Sequence, residues 1–183
     1  MAGLTCVPLM RCLGGSAMQD DIASLFAFNR WATERSLDAC RQISVDDYVR
    51  ALPGGVVSLR GTVTHLAGAT MAWARRIEGE HVISLPTDVE IPTLDEAIAM
   101  AEAGLVAFDQ LVPTLTHERL QSILIYRSLA NLEKRLPLWV VLRHVVNHAS
   151  YHRGQISCKL KTFGVIAPST DLIAWAYEAT QQA

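Results

Sequence analysis

His144, His148 and His152 lie at a spacing of four within the stretch PLWVVLRHVVNHASYHRGQISCKLK (137–161). Neutral imidazole is a ligand for zinc, copper, iron and nickel. Side chains four apart on an α-helix share one face. With His148 set at zero and about 100° per residue, Leu138, Leu142, Val145, Ala149, Ile156 and Leu160 fall between roughly 60° and 120°. They form a core-facing stripe. His152 falls at about 40°, beside the stripe, and His144 at about −40°, farthest from it. The histidine row therefore follows the edge of the buried face, where a pocket can open toward both core and solvent.

One ion cannot take all three. His144 and His152 are separated by roughly 12 Å along the axis, whereas metal–nitrogen bonds are only about 2.0–2.1 Å long. Angle favours the pair His148 and His152. His144 is then an outer partner or a plain buried residue, and a complete site needs a ligand from elsewhere in the chain. The competing reading is that buried histidines satisfy one another and the backbone. A pair at i, i+4 beside a core stripe, with a further histidine on a second helix, favours metal.

The elements that must position these groups are helical. Pro137 suits the first turn of the histidine helix, where its missing N–H costs nothing, and Gly164 marks the stop. Residues 19–43 read as a first long helix carrying Ile22, Leu25, Phe26, Trp31 and Leu37 as buried bulk. Ser44 and Asp47 suit a short helical turn that Pro53-Gly54-Gly55 breaks. Residues 56–79 read as the second long helix. Leu59, Leu66, Trp73 and Ile77 cluster on one side of it, and His65 sits at the edge of that stripe. The row of His65 also holds Ser58, Gly61, Gly68, Ala69 and Ala72. Small residues there leave space around an imidazole or permit close helix packing, and both can hold.

Thr93 with Glu96 forms a capping box for a third helix through about Leu111, with Leu94, Ile98, Ala101, Leu105 and Phe108 spaced for one buried face. Residues 118–127 are expected to form a strand, paired with part of 131–136 in a short hairpin before the last long helix. Pro168 to Asp171 starts a final short helix with Leu172, Ile173, Trp175 and Tyr177. His81 and His117 fall in polar connections and are expected to be exposed. The fold class is all-α: four long helices with modest connections make a bundle whose sites come from facing helices.

At 183 residues and 50% apolar composition, the chain suits one domain with a proper core. It has no run approaching a membrane span. A net charge of −2 gives no electrostatic case for nucleic acid or an acidic membrane surface, so small molecules or another copy of the chain are the expected partners. Cys6, Cys12, Cys40 and Cys158 lack paired spacing, which favours reduced thiols and a cytoplasmic location. Cys158 lies on the histidine helix but off the metal edge, and is read as structural. Residues 1–17 lack a basic n-region, and Pro8 and Arg11 interrupt their apolar run, so they do not read as a secretory signal.

The segment HVVNHASYHRGQIS (144–157) closely resembles the last-helix motif of the DinB / YfiT-like family. So do FNRWATERSLDA in the first helix, SLRGTVTHLAGATMAWARRIEG in the second, and the terminal TDLIAW. The likeness covers about residues 19–178, in the same order. It implies a four-helix bundle over 18–183, with residues 1–17 as an extension outside the fold. It also implies a three-histidine metal site, here His65 from the second helix with His148 and His152 from the fourth. The family includes S-transferases and isomerases that use mycothiol, bacillithiol or glutathione, and its members are often homodimers.

Three imidazoles leave coordination positions open for water or substrate, the arrangement of a catalytic rather than a structural ion. The leading expectation is a metal-dependent enzyme with zinc or nickel, activating a thiol or water nucleophile on a small-molecule substrate. A low-molecular-weight thiol would serve as cosubstrate in an S-transferase-like reaction. Gln155 and Arg153 are candidate outer contacts, although the angle of Arg153 favours a structural salt bridge. No carboxylate is placed as a general base. That leaves open a non-catalytic metal- or ligand-binding bundle, or a bundle whose histidines are ordinary core residues.

Overall fold

The computed structural model describes residues 15–181 except position 56. Its elements are α1 (Gly15–Cys40), α2 (Val45–Val49), a 3-10 turn (Pro53–Gly55), α3 (Leu59–Ile77), α4 (Leu94–Leu111), a 3-10 turn (Val112–Thr114), α5 (His117–Gln121), β1 (Ile123–Arg127), β2 (Glu133–Pro137), α6 (Leu138–Thr162) and α7 (Leu172–Gln181). Three residues of the stretch assigned to an N-terminal extension, 15–17, are in the first turns of α1. The rest of that stretch, with Cys6 and Cys12, lies outside the described residues.

The four long helices, α1, α3, α4 and α6, make the bundle. α3 packs most extensively on α4 and α6, and α1 on α6, with α1 closing the ring against α4. α1 and α3 are therefore diagonal across the bundle, as are α4 and α6. The connections between those diagonal helices carry the smaller elements: α2 with its 3-10 turn on one, and α5 with the hairpin on the other.

Helix starts follow local capping chemistry. The Ser44 hydroxyl accepts from the Asp47 N–H at 3.1 Å, and Ser58 accepts from Gly61 at 3.0 Å. Thr93 and Glu96 form a reciprocal box, with Oγ1 accepting at 3.2 Å and the carboxylate accepting from the Thr93 N–H at 3.0 Å. α6 starts one residue later than expected: Pro137 ends β2 and caps the helix. Its stop is a Schellman arrangement. Gly164 takes φ 78°, its N–H donates to the Lys161 carbonyl at 3.1 Å, and the Val165 N–H donates to that of Leu160 at 2.9 Å.

The hairpin forms, but the strand starts only at Ile123. Thr116 accepts from the Arg119 N–H at 3.1 Å, so residues 117–121 take a helical turn and bury Leu120. The β-branched run begins after that turn. In the antiparallel register Tyr126 faces Lys134 and Arg127 faces Glu133. Asn131 adopts φ 57° in the connecting loop, a conformation Asn tolerates better than most residues.

Two apolar clusters fill the bundle, and α6 contributes to both. Leu138, Val141, Leu142 and Val145 join Ile22, Phe26 and Phe108, while Ala149, Ile156 and Leu160 join Leu59, Leu66 and Ala101. All six residues of the stripe read from the sequence are buried. α7 contributes much less: Trp175 packs on the first cluster, while Leu172, Ile173 and Tyr177 are exposed. No helix among the described residues is long and apolar enough to cross a membrane.

Phe108 is fully enclosed, with its ring 4.6 Å from that of Phe26. Phe108→Ala should cost about 3–5 kcal/mol. Loss of the capping box in Thr93→Ala should cost about 1 kcal/mol, and Val45→Ala, at an exposed position, should stay within about 0.5 kcal/mol. Urea denaturation of the three variants checks this order, which an unchanged midpoint for Phe108→Ala would refute.

Candidate metal centre

α3 and α6 pack side by side, and His65 of α3 meets His148 and His152 of α6 across their contact. The Nε2 atoms of His65 and His148 are 3.4 Å apart, and those of His148 and His152 are 3.2 Å apart. One ring nitrogen from each residue lies within 4.8 Å of the other two, and all three rings are half-buried. The pair chosen by angle is thus joined by the residue that the family resemblance supplied.

These spacings fit an ion. Tetrahedral bonds of about 2.0–2.1 Å place ligand nitrogens about 3.3 Å apart. Hydrogen bonding alone serves the cluster poorly. His152 Nδ1–H donates to Gln155 Oε1 at 2.9 Å, which leaves its Nε2 as a bare lone pair. His148 Nε2 faces that lone pair on one side and Nε2 of His65 on the other, and it carries one proton at most in the neutral ring. It can therefore satisfy one contact as donor or the other as acceptor, never both. A cation facing three lone pairs would remove the conflict, and the bond to Gln155 would then fix the tautomer of His152.

Electrostatics keep the rings neutral. Burial lowers the pKa of His65, His152 and His148, and the other histidines of the cluster push His148 further, to about 4. Burial likewise lowers Lys159, whose charge also lowers His152 and which donates to the hydroxyl of Thr62. Neutral imidazole is the form that binds metal.

His144 does not join the triad. It is exposed, with its ring 5.5 Å from that of His148 and edge-on to Trp73 at 5.3 Å. It lines a cavity of about 290 Å³ that also reaches His65, His148, Trp73, Arg76 and Tyr126. Trp73, Arg76 and Tyr126 were not among the candidate residues of the sequence. For two of them a signal existed: His65, Ala69, Trp73 and Arg76 follow one helical row at steps of four, four and three. Tyr126 reaches the cavity through the hairpin, packing on Trp73 at 5.0 Å.

The small residues beside His65 leave space for the cavity and for a loop rather than for a facing helix. Ala69 lines the cavity, whereas a Cβ on Gly68 would approach Pro86 to 2.8 Å, so that position seats the loop after α3. His81 and His117 are exposed, as expected.

Two expectations are corrected. Arg153 forms no salt bridge among the described residues. Its guanidinium is buried at 1% exposure and donates to Asn29 Oδ1 at 2.6 Å, Thr33 Oγ1 at 3.2 Å and Ser150 Oγ at 2.7 Å. It also lies over the ring of Phe28. α1 presents amide and hydroxyl groups where a carboxylate was anticipated, and burial without a counter-charge lowers the pKa of Arg153 to about 10. Cys158 is exposed rather than structural; it lines a surface pocket with Tyr151 and Gln155. Cys40 is buried, and burial raises its thiol pKa.

Because the folded pKa values of the three histidines lie below the ordinary value of about 6.5, the unfolded chain binds more protons at mildly acid pH. Their contribution to the stability of the metal-free protein should be complete above about pH 6.5 and decline as pH falls from there toward 4. Urea titrations of metal-free protein across that range check the slope, which His148→Gln should flatten. A wild-type profile that is level between pH 7 and 5 would exclude this linkage.

The DinB family model matches residues 18–183. The protein DinB of Bacillus subtilis (strain 168) is 22% identical over 171 residues, covering 84% of this chain and 92% of its own. Among solved structures, YfiT from Bacillus subtilis superposes with a TM-score of 0.64 at 14% identity, covering 87% of this chain and 94% of YfiT. YfiT is described as a probable metal-dependent hydrolase with an unusual four-helix bundle topology. A DinB-like protein from Bacillus subtilis, YjoA, gives a TM-score of 0.58 at 15% identity, covering 80% and 97% of the two chains. One from Bacillus cereus ATCC 10987 gives 0.53 at 17% identity, covering 76% and 91%. With a family model spanning nearly the whole described chain and the four-helix bundle shared with these structures, the chain belongs to the DinB family.

Proposed function

We propose that this DinB-family bundle is a metal-dependent enzyme acting on a small molecule, with a divalent ion held by Nε2 of His65, His148 and His152. The convergence of three neutral imidazole nitrogens beside a cavity carries this reading. The description of YfiT as a probable metal-dependent hydrolase agrees with it. Zinc and nickel are the proposed metals, since imidazole suits both. Such an ion supplies Lewis acidity, lowering the pKa of water or a thiol and polarising a carbonyl.

The remaining work falls to the protein. Gln155 holds His152 in the tautomer that turns Nε2 toward the cluster. The stripe of Leu142, Val145, Ala149 and Ile156 seats α6 in the core and so fixes the direction of both its ligands. Trp73, Tyr126 and His144 wall the cavity and limit the water beside the histidines. The nucleophile is a low-molecular-weight thiol or water, and an S-transferase-like reaction is the thiol form of this chemistry. Among the described residues no aspartate or glutamate lines the cavity, which suits a reaction whose nucleophile is activated at the ion, and equally suits a bundle that binds a ligand without turning it over. We further propose a homodimer, supported by the apolar side chains that Ile166, Ile173 and Tyr177 leave exposed, and a cytoplasmic location, supported by four cysteines without paired spacing.

Metal analysis of protein purified without a histidine tag should give one divalent ion per chain. His65→Ala, His148→Ala and His152→Ala should each abolish binding, and His144→Ala should only weaken it. Equal loss in His144→Ala with retention in His65→Ala would identify a different triad. Light scattering of the same sample at low micromolar concentration should give twice the chain mass, and one-chain mass would remove the dimer.

Thiolate, not thiol, is the metal ligand and nucleophile. Mycothiol, bacillithiol or glutathione should therefore alter the visible spectrum of cobalt-substituted protein, more readily as pH rises toward the thiol pKa. A spectrum indifferent to all three would sink the transferase form and leave hydrolysis or binding.

A further inference from the structure

Arg76 is buried at 5% exposure in the wall of the cavity that holds His65 and His148. Its Nε and Nη2 both donate to the Val82 carbonyl, at 3.0 and 2.6 Å, and its guanidinium lies over Trp73 at 4.9 Å and Tyr126 at 5.8 Å. A carbonyl and two aromatic faces orient a cation without neutralising it. Nη1 has no hydrogen-bond partner among the described residues, and no carboxylate there pairs with Arg76. The nearby acids are engaged elsewhere, Glu80 with Arg75 and Glu78 with Arg119. A buried cation without a counter-charge is costly, and a guanidinium with a free edge matches the geometry of a carboxylate.

The cavity itself narrows the ligand. Its volume of about 290 Å³ is at the lower limit of small-molecule sites. Aromatic rings run from Arg76 toward the histidines: Trp73 under the guanidinium, His144 at 5.3 Å from Trp73, and His148 at 5.5 Å from His144. Tyr126 packs edge-on to Trp73 from the hairpin. Planar groups stack well on such walls.

We infer that the substrate of this cavity is a small monoanion with a flat, unsaturated body, its carboxylate held by Arg76 and its reacting end toward His65 and His148. This deepens the metal-centre reading and rests on it for which end reacts. Recognition of the charge does not require the ion.

Calorimetric titration of full-length protein with phenylacetate and with neutral phenylacetamide tests the inference, in zinc-loaded and chelator-treated samples. Phenylacetate should bind at least tenfold more tightly in both samples, and Arg76→Gln, which keeps a donor for Val82, should remove that preference. The wild-type comparison stands even if the variant fails to fold. Equal affinity for the two ligands, no binding of either at millimolar concentration, or a preference that survives in Arg76→Gln would overturn the inference. So would a preference confined to the zinc-loaded sample, which would place the carboxylate on the ion. A wild-type protein that takes up no metal yet keeps the Arg76-dependent preference would overturn the metal reading alone and support this one.

Discussion

The contact between α3 and α6 is the constraint on which the rest of the molecule depends. His148 and His152 are set by one helix and need only the repeat of an α-helix to share a face. His65 is eighty-three residues from His148, and only the packing of α3 against α6 brings its nitrogen within reach. That packing is secured on the core side by Leu59, Leu66, Ala149, Ile156 and Leu160. The apolar stripe and the histidine row are adjacent strips of the same two helices, so burial of one strip aims the other.

Placing polar groups at the edge of a core has an electrostatic consequence. Burial favours the uncharged imidazole, and each neighbouring histidine adds to that preference. Packing alone thereby favours lone pairs on the clustered imidazoles at neutral pH. Arg153 and Arg76 show the same trade from the cationic side. Among the described residues neither has a carboxylate partner, but Arg153 is surrounded by amide and hydroxyl acceptors from α1 and α6, whereas Arg76 faces a cavity. One guanidinium ties helices together, and the other is left with an edge toward the site.

The connections between diagonal helices finish the cavity. The loop after α3 brings Leu85 to its wall and the Val82 carbonyl to Arg76, and it can lie close because Gly68 has no Cβ to meet Pro86. The hairpin before α6 brings Tyr126, Ser128 and Leu129. A bundle with only short turns between adjacent helices would offer the same histidines to open solvent.

By itself the sequence determined what depends on local repeat and local chemistry. The stripe on α6, the pair His148 and His152, the capping box at Thr93, the stop at Gly164 and the existence of the hairpin were all legible, because each rests on residues within a few positions of one another. The family likeness added His65, which angle alone did not select. Tertiary structure decided what depends on distant partners. Arg153 finds Asn29 and Thr33 rather than an acid because the facing stretch of α1 offers those groups. Residues 117–121 turn helical because Thr116 caps them and Leu120 finds a buried place. Arg76, Trp73 and Tyr126 become cavity walls only when α3, the hairpin and α6 meet, since a helical row records which residues are neighbours on one surface but not what stands opposite.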